Sequence, residues 1–103
     1  MRNVATMSSR STDMMVRHNA AENRFETEVD GMLSVADYQR RGTEIIMTHT
    51  FVPSMLRGRG IAEKLVRAAL EYARDERLKV VPACSYVEMF IKRHPEFGPL
   101  LMD

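Results

Sequence analysis

Val52-Pro53-Ser54-Met55-Leu56-Arg57-Gly58-Arg59-Gly60-Ile61-Ala62-Glu63-Lys64-Leu65 joins a strand pattern to a helix pattern through two glycines, and the organisation of the chain follows from that join. Glycines let the backbone approach a ligand closely, successive N–H groups can point into one concavity, and a first helical turn adds unpaired donors and the positive end of the peptide dipole. A turn of this kind suits an anion, above all a diphosphate. The dipole contributes only about 0.3 to 1 kcal/mol per charge at an exposed site, whereas micromolar binding needs about 8 kcal/mol. Other contacts must therefore carry most of the affinity. The spacing is not that of a P-loop, because no Gly-Lys-Ser/Thr follows the first glycine, and G-x-G-x-x-G is absent.

Downstream, residues 60–77 are good helix formers throughout. Ile61, Leu65, Ala69 and Tyr72 form one stripe with Ala62, Val66, Leu70 and Ala73 beside it, a wide apolar face that packs on a sheet. Lys64, Arg67, Glu71, Arg74 and Asp75 fill the remaining arc as a solvated face. Residues 78–84 read as a strand in which Pro82, having no N–H, must be unpaired on one side. Ser85-Tyr86-Val87-Glu88 has the spacing of a capping box, with Ser85 as N-cap, and predicts a short helix running to about His94. Pro95 and Gly98-Pro99 end it, and residues 100–103 form a docked or fraying end.

Upstream, residues 44–52 predict the longest strand. Ile45, Met47, His49 and Phe51 alternate with Ile46, Thr48, Thr50 and Val52, so both faces carry apolar groups, as in a central strand covered on two sides. Residues 32–39 form another strand, and Asp30-Gly31 marks a two-residue hairpin between it and residues 24–29. In the latter, Phe25, Thr27 and Val29 share one face while Arg24, Glu26 and Glu28 take the other. A short strand is placed at Met14-Met15-Val16, with a polar connection from His18 to Asn23. Residues 1–12, rich in serine and without an acid, read as a disordered tail, leaving one α/β (α+β) domain over residues 13–103.

A chain of 103 residues suits one such domain. Fifteen Lys and Arg stand against fourteen Asp and Glu, so no charged surface for a polyanion is indicated, and the isolated Arg57-Gly58-Arg59-Gly60 is not an RNA contact. Cys84 is the single cysteine and cannot form an internal disulfide, which fits a reducing, cytoplasmic setting. No apolar stretch reaches the length of a membrane span, and no thiolate metal site is proposed.

Arg57-Gly58-Arg59-Gly60-Ile61-Ala62 matches the R-x-x-G-x-A form of the acyl-CoA loop of GNAT acetyltransferases. Its surroundings strengthen the match: His49-Thr50-Phe51-Val52-Pro53 before it, Ala62-Glu63-Lys64-Leu65 after it, then Val81-Pro82-Ala83-Cys84-Ser85-Tyr86 and Arg93-His94-Pro95. Over about residues 16 to 97 the chain resembles the small stand-alone GNAT-like domains of the YjdJ type.

That resemblance implies a truncated GNAT fold: a mixed, mostly antiparallel sheet with a long helix after the acyl-CoA loop and a short C-terminal helix. It implies acetyl-CoA or coenzyme A as cofactor and a small-molecule or protein amine as acceptor. Arg57, Gly58, Arg59, Gly60, Ile61 and Ala62 would hold the diphosphate. The pantetheine arm would lie between the strands ending at Val52 and Cys84, with main-chain groups of Phe51 and Val52 on its amides. The family's usual first helices, which shape the acceptor site, have no counterpart in this sequence. Cys84 would lie beside the thioester with Ser85, either as a nucleophile or as a proton donor to the departing sulfur; as a bare cysteine it would be a buried small hydrophobe. Tyr86 and Phe90, at i and i+4, are core residues that also flank the cofactor. His49, three residues before Val52, is the candidate base, since imidazole exchanges protons near neutrality; the competing reading is a core histidine. These assignments predict an N-acetyltransferase, with a non-catalytic acyl-CoA-binding or sensing module as the alternative.

Overall fold

The computed structural model describes residues 15–101. Alternating apolar residues and tight turns produce five strands ordered β1-β2-β3-β4-β5 in one sheet. These are β1 (Arg17–Asn19), β2 (Arg24–Val29), β3 (Met32–Arg41), β4 (Glu44–Phe51) and β5 (Lys79–Pro82). The first four run antiparallel, while β5 lies parallel to β4. A parallel neighbour needs a crossover, and α1 (Ile61–Asp75) supplies it. The second helix, α2 (Ser85–Arg93), is followed by a 3₁₀ segment at Pro95–Leu100. No helix among the described residues is long and apolar enough to cross a membrane.

The hairpin forms where Asp30-Gly31 predicts it. Both residues take positive φ, 53° and 76°, as a type I′ turn requires. The apolar stripe of α1 is buried as its periodicity predicts, with Leu65, Val66, Ala69, Leu70 and Ala73 fully enclosed. They pack with Ala36, Ile45, Met47 and Val80 of the sheet. Val87, Phe90 and Ile91 bring α2 into the same core.

Several expectations need correction. The first strand is Arg17–Asn19, not residues 14–16; Met14 lies outside the described residues, as does the predicted tail. His18 and Asn19, expected in a polar connection, instead pair with Phe25 and Arg24. The reason is aromatic: the His18 ring stacks on Phe25 with centroids 4.2 Å apart, and its Nε2 meets the Tyr38 hydroxyl at 2.5 Å. Glu26, on the face opposite Phe25 as the alternation predicts, is nonetheless buried because Arg17, Arg24 and Asn19 all close over its carboxylate. The β5 strand is shorter than residues 78–84 because its pairing ends at Pro82.

The capping box does not form. Cys84 is the N-cap, Ser85 is the first helical residue, and no side chain caps α2. The Cys84 N–H donates to the Met47 carbonyl at 2.9 Å, holding Cys84 extended. The helix therefore begins one residue before the position the box requires.

The largest correction concerns β4. Its register against β3 shifts between Asp37 and Tyr38, which face His49 and Met47, leaving Thr48 surplus as a β-bulge. The bulge reverses the alternation, so Ile45 and Met47 share the helix-covered face with Thr50 and Val52 rather than with His49 and Phe51. On the opposite face Leu33 and Phe51 are 38% and 45% exposed. The strand is thus not covered on both sides as its composition suggests.

Candidate functional site

Pro53 stops β4, and a single 3₁₀ turn, Ser54–Leu56, anchors the following loop by burying Leu56. Gly58 and Gly60 then take φ of 88° and 76°. No atom outside their own neighbours would crowd an added Cβ at either position. Glycine is therefore needed for the left-handed backbone rather than for space. Gly60 caps α1 without a side-chain bond. The first bond of the helix runs from the Lys64 N–H to the Gly60 carbonyl at 3.2 Å. The N–H groups of residues 58–63 consequently have no acceptor among the described residues. They border a cleft of about 220 Å³ walled by Val52, Leu56 and Tyr86.

Both arginines of the loop are partly committed. The Arg57 Nε donates to the Val52 carbonyl at 3.1 Å, clipping the end of β4 to the loop. Arg59 donates to Asp30 at the hairpin tip, also at 3.1 Å. The Val52 carbonyl is therefore already engaged by the protein.

Beside the loop the sheet is open. Pairing between β4 and β5 ends at Met47 and Pro82, and the Cys84–Met47 bond is the last across it. The Ala83 N–H turns back to the Val81 carbonyl at 3.0 Å, a three-residue turn around Pro82 that directs the chain away from β4. The Lys79 N–H faces β4, bonded to Thr43 at 2.8 Å. Alternation then sends the Pro82 side without a donor outward, where nothing is lost. Residues 49–51 of β4 keep their β3 partners but have no strand on the β5 side. Thr50, Phe51, Val52 and Tyr86 line this opening, which continues into the loop cleft.

Half-buried Cys84 stands at the opening, its Sγ 3.7 Å from Thr50 Oγ1. His49 lies next to Thr50 in sequence and so projects to the opposite, solvent-open face, across from Asp37. The structure thus brings Thr50 and Cys84 together and separates His49 from them. Ile61 at the cleft wall is buried, while Ala62 beside it is half-buried. Ser85 is exposed. Tyr86 borders every part of the opening and the loop cleft. Burial, with the Glu63 carboxylate second, pushes its phenol above the ordinary range. Phe90 is a core residue, stacked on His94 with centroids 4.1 Å apart and covered by the Arg67 guanidinium at 5.4 Å.

Two residues at the site were missed by sequence reasoning. Thr50 gave no signal apart from its contact with Cys84. Glu63 was readable as an acid in the first turn of α1. It pairs with Arg67 at 3.5 Å and lies 3.9 Å from His94 Nε2.

The family described as GCN5-related N-acetyl-transferase matches residues 24–100. Among curated relatives, Protein NATD1 of Xenopus tropicalis is 32% identical over 88 residues, spanning 82% of this chain and 81% of its own. Protein NATD1 of Mus musculus is 35% identical over 83 residues, spanning 78% and 76%. The solution structure of a GCN5-like protein from Staphylococcus aureus superposes with a TM-score of 0.68 at 25% identity, covering 91% of each chain.

Proposed function

Because the chain belongs to the GCN5-related N-acetyl-transferase family, we propose that it binds an acyl-CoA, with acetyl-CoA as working cofactor, and transfers the acyl group to an amine. One observation carries this reading: unbonded N–H groups at residues 58–63 lie next to the unpaired stretch of β4. A diphosphate fits the loop because its donors are free, its glycines expose the backbone, and α1 begins there. The opening beside residues 48–51 suits the linked arm, whose amides need partners that an unzipped strand edge offers.

Acetyl-CoA, when bound, supplies an activated thioester carbonyl. The chain's own residues bind, orient and manage protons. The N–H groups of residues 58–63 hold the negative charge, and the Arg57 clip on Val52 fixes the loop relative to β4. Main-chain groups of Phe51 and the N–H of Val52 orient the arm. Cys84 keeps a proton at Sγ, beside Thr50, for return to a departing sulfur. On the open face His49 receives a proton at a ring nitrogen from the approaching amine, carried by a small molecule or a protein.

The separation of His49 from Cys84 across the sheet favours a second reading, an acyl-CoA-binding or sensing module without turnover. Titrating the protein with CoA, acetyl-CoA and ADP while following backbone amide resonances tests the common premise. The largest shifts are expected at Gly58, Gly60, Ile61 and Ala62, with others at Cys84 and Ser85; shifts elsewhere alone would remove it. CoA release in the presence of amines then separates the readings, since tight binding without release supports the module.

A further inference from the structure

Among residues 57–63, Arg59 alone does not wall the loop cleft. Its guanidinium turns the other way, to the tip of the β2–β3 hairpin, where Nη1 donates to Asp30 Oδ2 at 3.1 Å. Asp30 has no other ion pair among the described residues. It stands on a firm base, since it opens the type I′ turn at φ 53° and every residue of β2 is paired with β3. The turn that contains Arg59 is held less firmly. Gly58 and Gly60 flank it at positive φ with nothing close enough to touch an added Cβ. The N–H groups of residues 58–63 bond to no acceptor among the described residues. Glycine gives up more backbone freedom than any other residue when it is fixed, so the middle of this turn depends on a hold from outside it.

We propose that Asp30 is a positioning residue for the diphosphate turn: by holding the Arg59 side chain outside the cleft, it fixes the peptide planes on either side of residue 59, whose N–H groups border the cleft. This rests on the acyl-CoA reading. The loop is then tied at three points. Arg57 clips its start to the Val52 carbonyl at 3.1 Å, buried Ile61 seats its end in the core, and Asp30 straps its middle to the hairpin. Arg59 thus serves the anion through its N–H, while its guanidinium serves the turn. The opposite arrangement, in which Arg59 swings onto the phosphates, would make Asp30 a competitor whose removal tightens binding. The two arrangements therefore differ in sign. The paired side chains are 50% and 60% exposed, so solvent screens them and the strap changes an equilibrium by no more than about two- to fivefold.

Calorimetric titration of the full chain with CoA reads the sign. Asp30→Asn keeps a residue that tolerates the left-handed backbone and removes a negative charge near the anion, so charge repulsion alone would make CoA bind more tightly. It should instead weaken CoA binding about two- to fivefold. Arg59→Gln should weaken it to a similar extent, and combining the two substitutions should cost no more than either alone. Asp30→Asn binding CoA as tightly as wild type, or more tightly, would overturn the proposal. Amide relaxation of the ligand-free protein supplies a readout that needs no carrier. Asp30→Asn should lower the heteronuclear NOE at Gly58, Arg59 and Gly60 and leave the Gly42 turn unchanged, whereas unaltered values at all of them would overturn the strap. Lowered values in the variant, with no CoA bound by wild type, would uphold the strap and remove the acyl-CoA reading.

Discussion

His18 lies face to face with Phe25, ring centroids 4.2 Å apart and planes within 6°, so that a three-residue edge strand is fastened to the sheet by one imidazole. Tyr72 meets the same ring edge-on at 4.5 Å, and Tyr38 meets its Nε2. Burial, with the Arg40 charge second, holds His18 below the ordinary imidazole range. The folded state therefore takes up fewer protons here than the unfolded chain. The resulting stability is complete above the unfolded imidazole's pKa and is lost as pH falls from there through the folded value. Urea midpoints measured from pH 7.5 to 5.5 should fall for wild type and stay flatter for His18→Phe. Equal slopes would show that the ring does not couple protonation to folding.

Glu26 acts in a separate and more acidic window. The Arg24 hydrogen bond, against some opposing burial and with help from Asn19 and Arg17, holds its carboxyl below the ordinary carboxylate range. Stability from this group is present above the unfolded carboxylate's pKa and is lost as pH falls through the folded one. Glu26→Gln should be less stable than wild type at pH 7, with the gap narrowing toward pH 3. A constant gap would mean that packing, not charge, is what the substitution removes.

Gly60→Ala separates backbone conformation from packing. Nothing crowds an added methyl at this position, so the penalty is that of φ 76° alone, about 1 to 2 kcal/mol. Thermal unfolding reads it directly. The same variant should weaken CoA binding, because the N–H array depends on that backbone; unchanged affinity would take the turn out of the binding site.

For the transfer step, His49→Ala should lower kcat by about 10² with little change in CoA affinity, the size of a general-base contribution. Cys84→Ala should also lower kcat while leaving CoA binding intact. A rate that falls for neither variant would remove both side chains from the proton path and leave positioning by the backbone as the source of activity.

The parts of this architecture that were legible in the sequence are those set by period and turn chemistry. Asp30-Gly31 named its hairpin, Leu65, Val66, Ala69 and Leu70 their helix face, and Gly58 and Gly60 the tight turn that opens α1. The illegible parts depend on contacts between distant residues. His18 looked like a loop residue because its aromatic partners, Phe25, Tyr38 and Tyr72, come from other elements. Ser85 and Glu88 have box spacing, yet the bond from Cys84 to Met47 across the sheet decides where α2 begins. The orientation of His49 depended on a surplus residue that alternation along one strand cannot reveal.

That surplus residue gives the tip of β4 one position whose loss the ladder absorbs. Replacing Thr48 would disturb little beyond its 3.3 Å bond to the Asp37 carbonyl. Deleting it would bring Met47 and His49 into consecutive register opposite Tyr38 and Asp37, closing the bulge and leaving Thr50 and Val52 on the helix-covered face. Diversification of this strand should therefore tolerate the loss of one residue at the bulge, whereas a further inserted residue must be absorbed by a wider bulge or turn the tip to the other face.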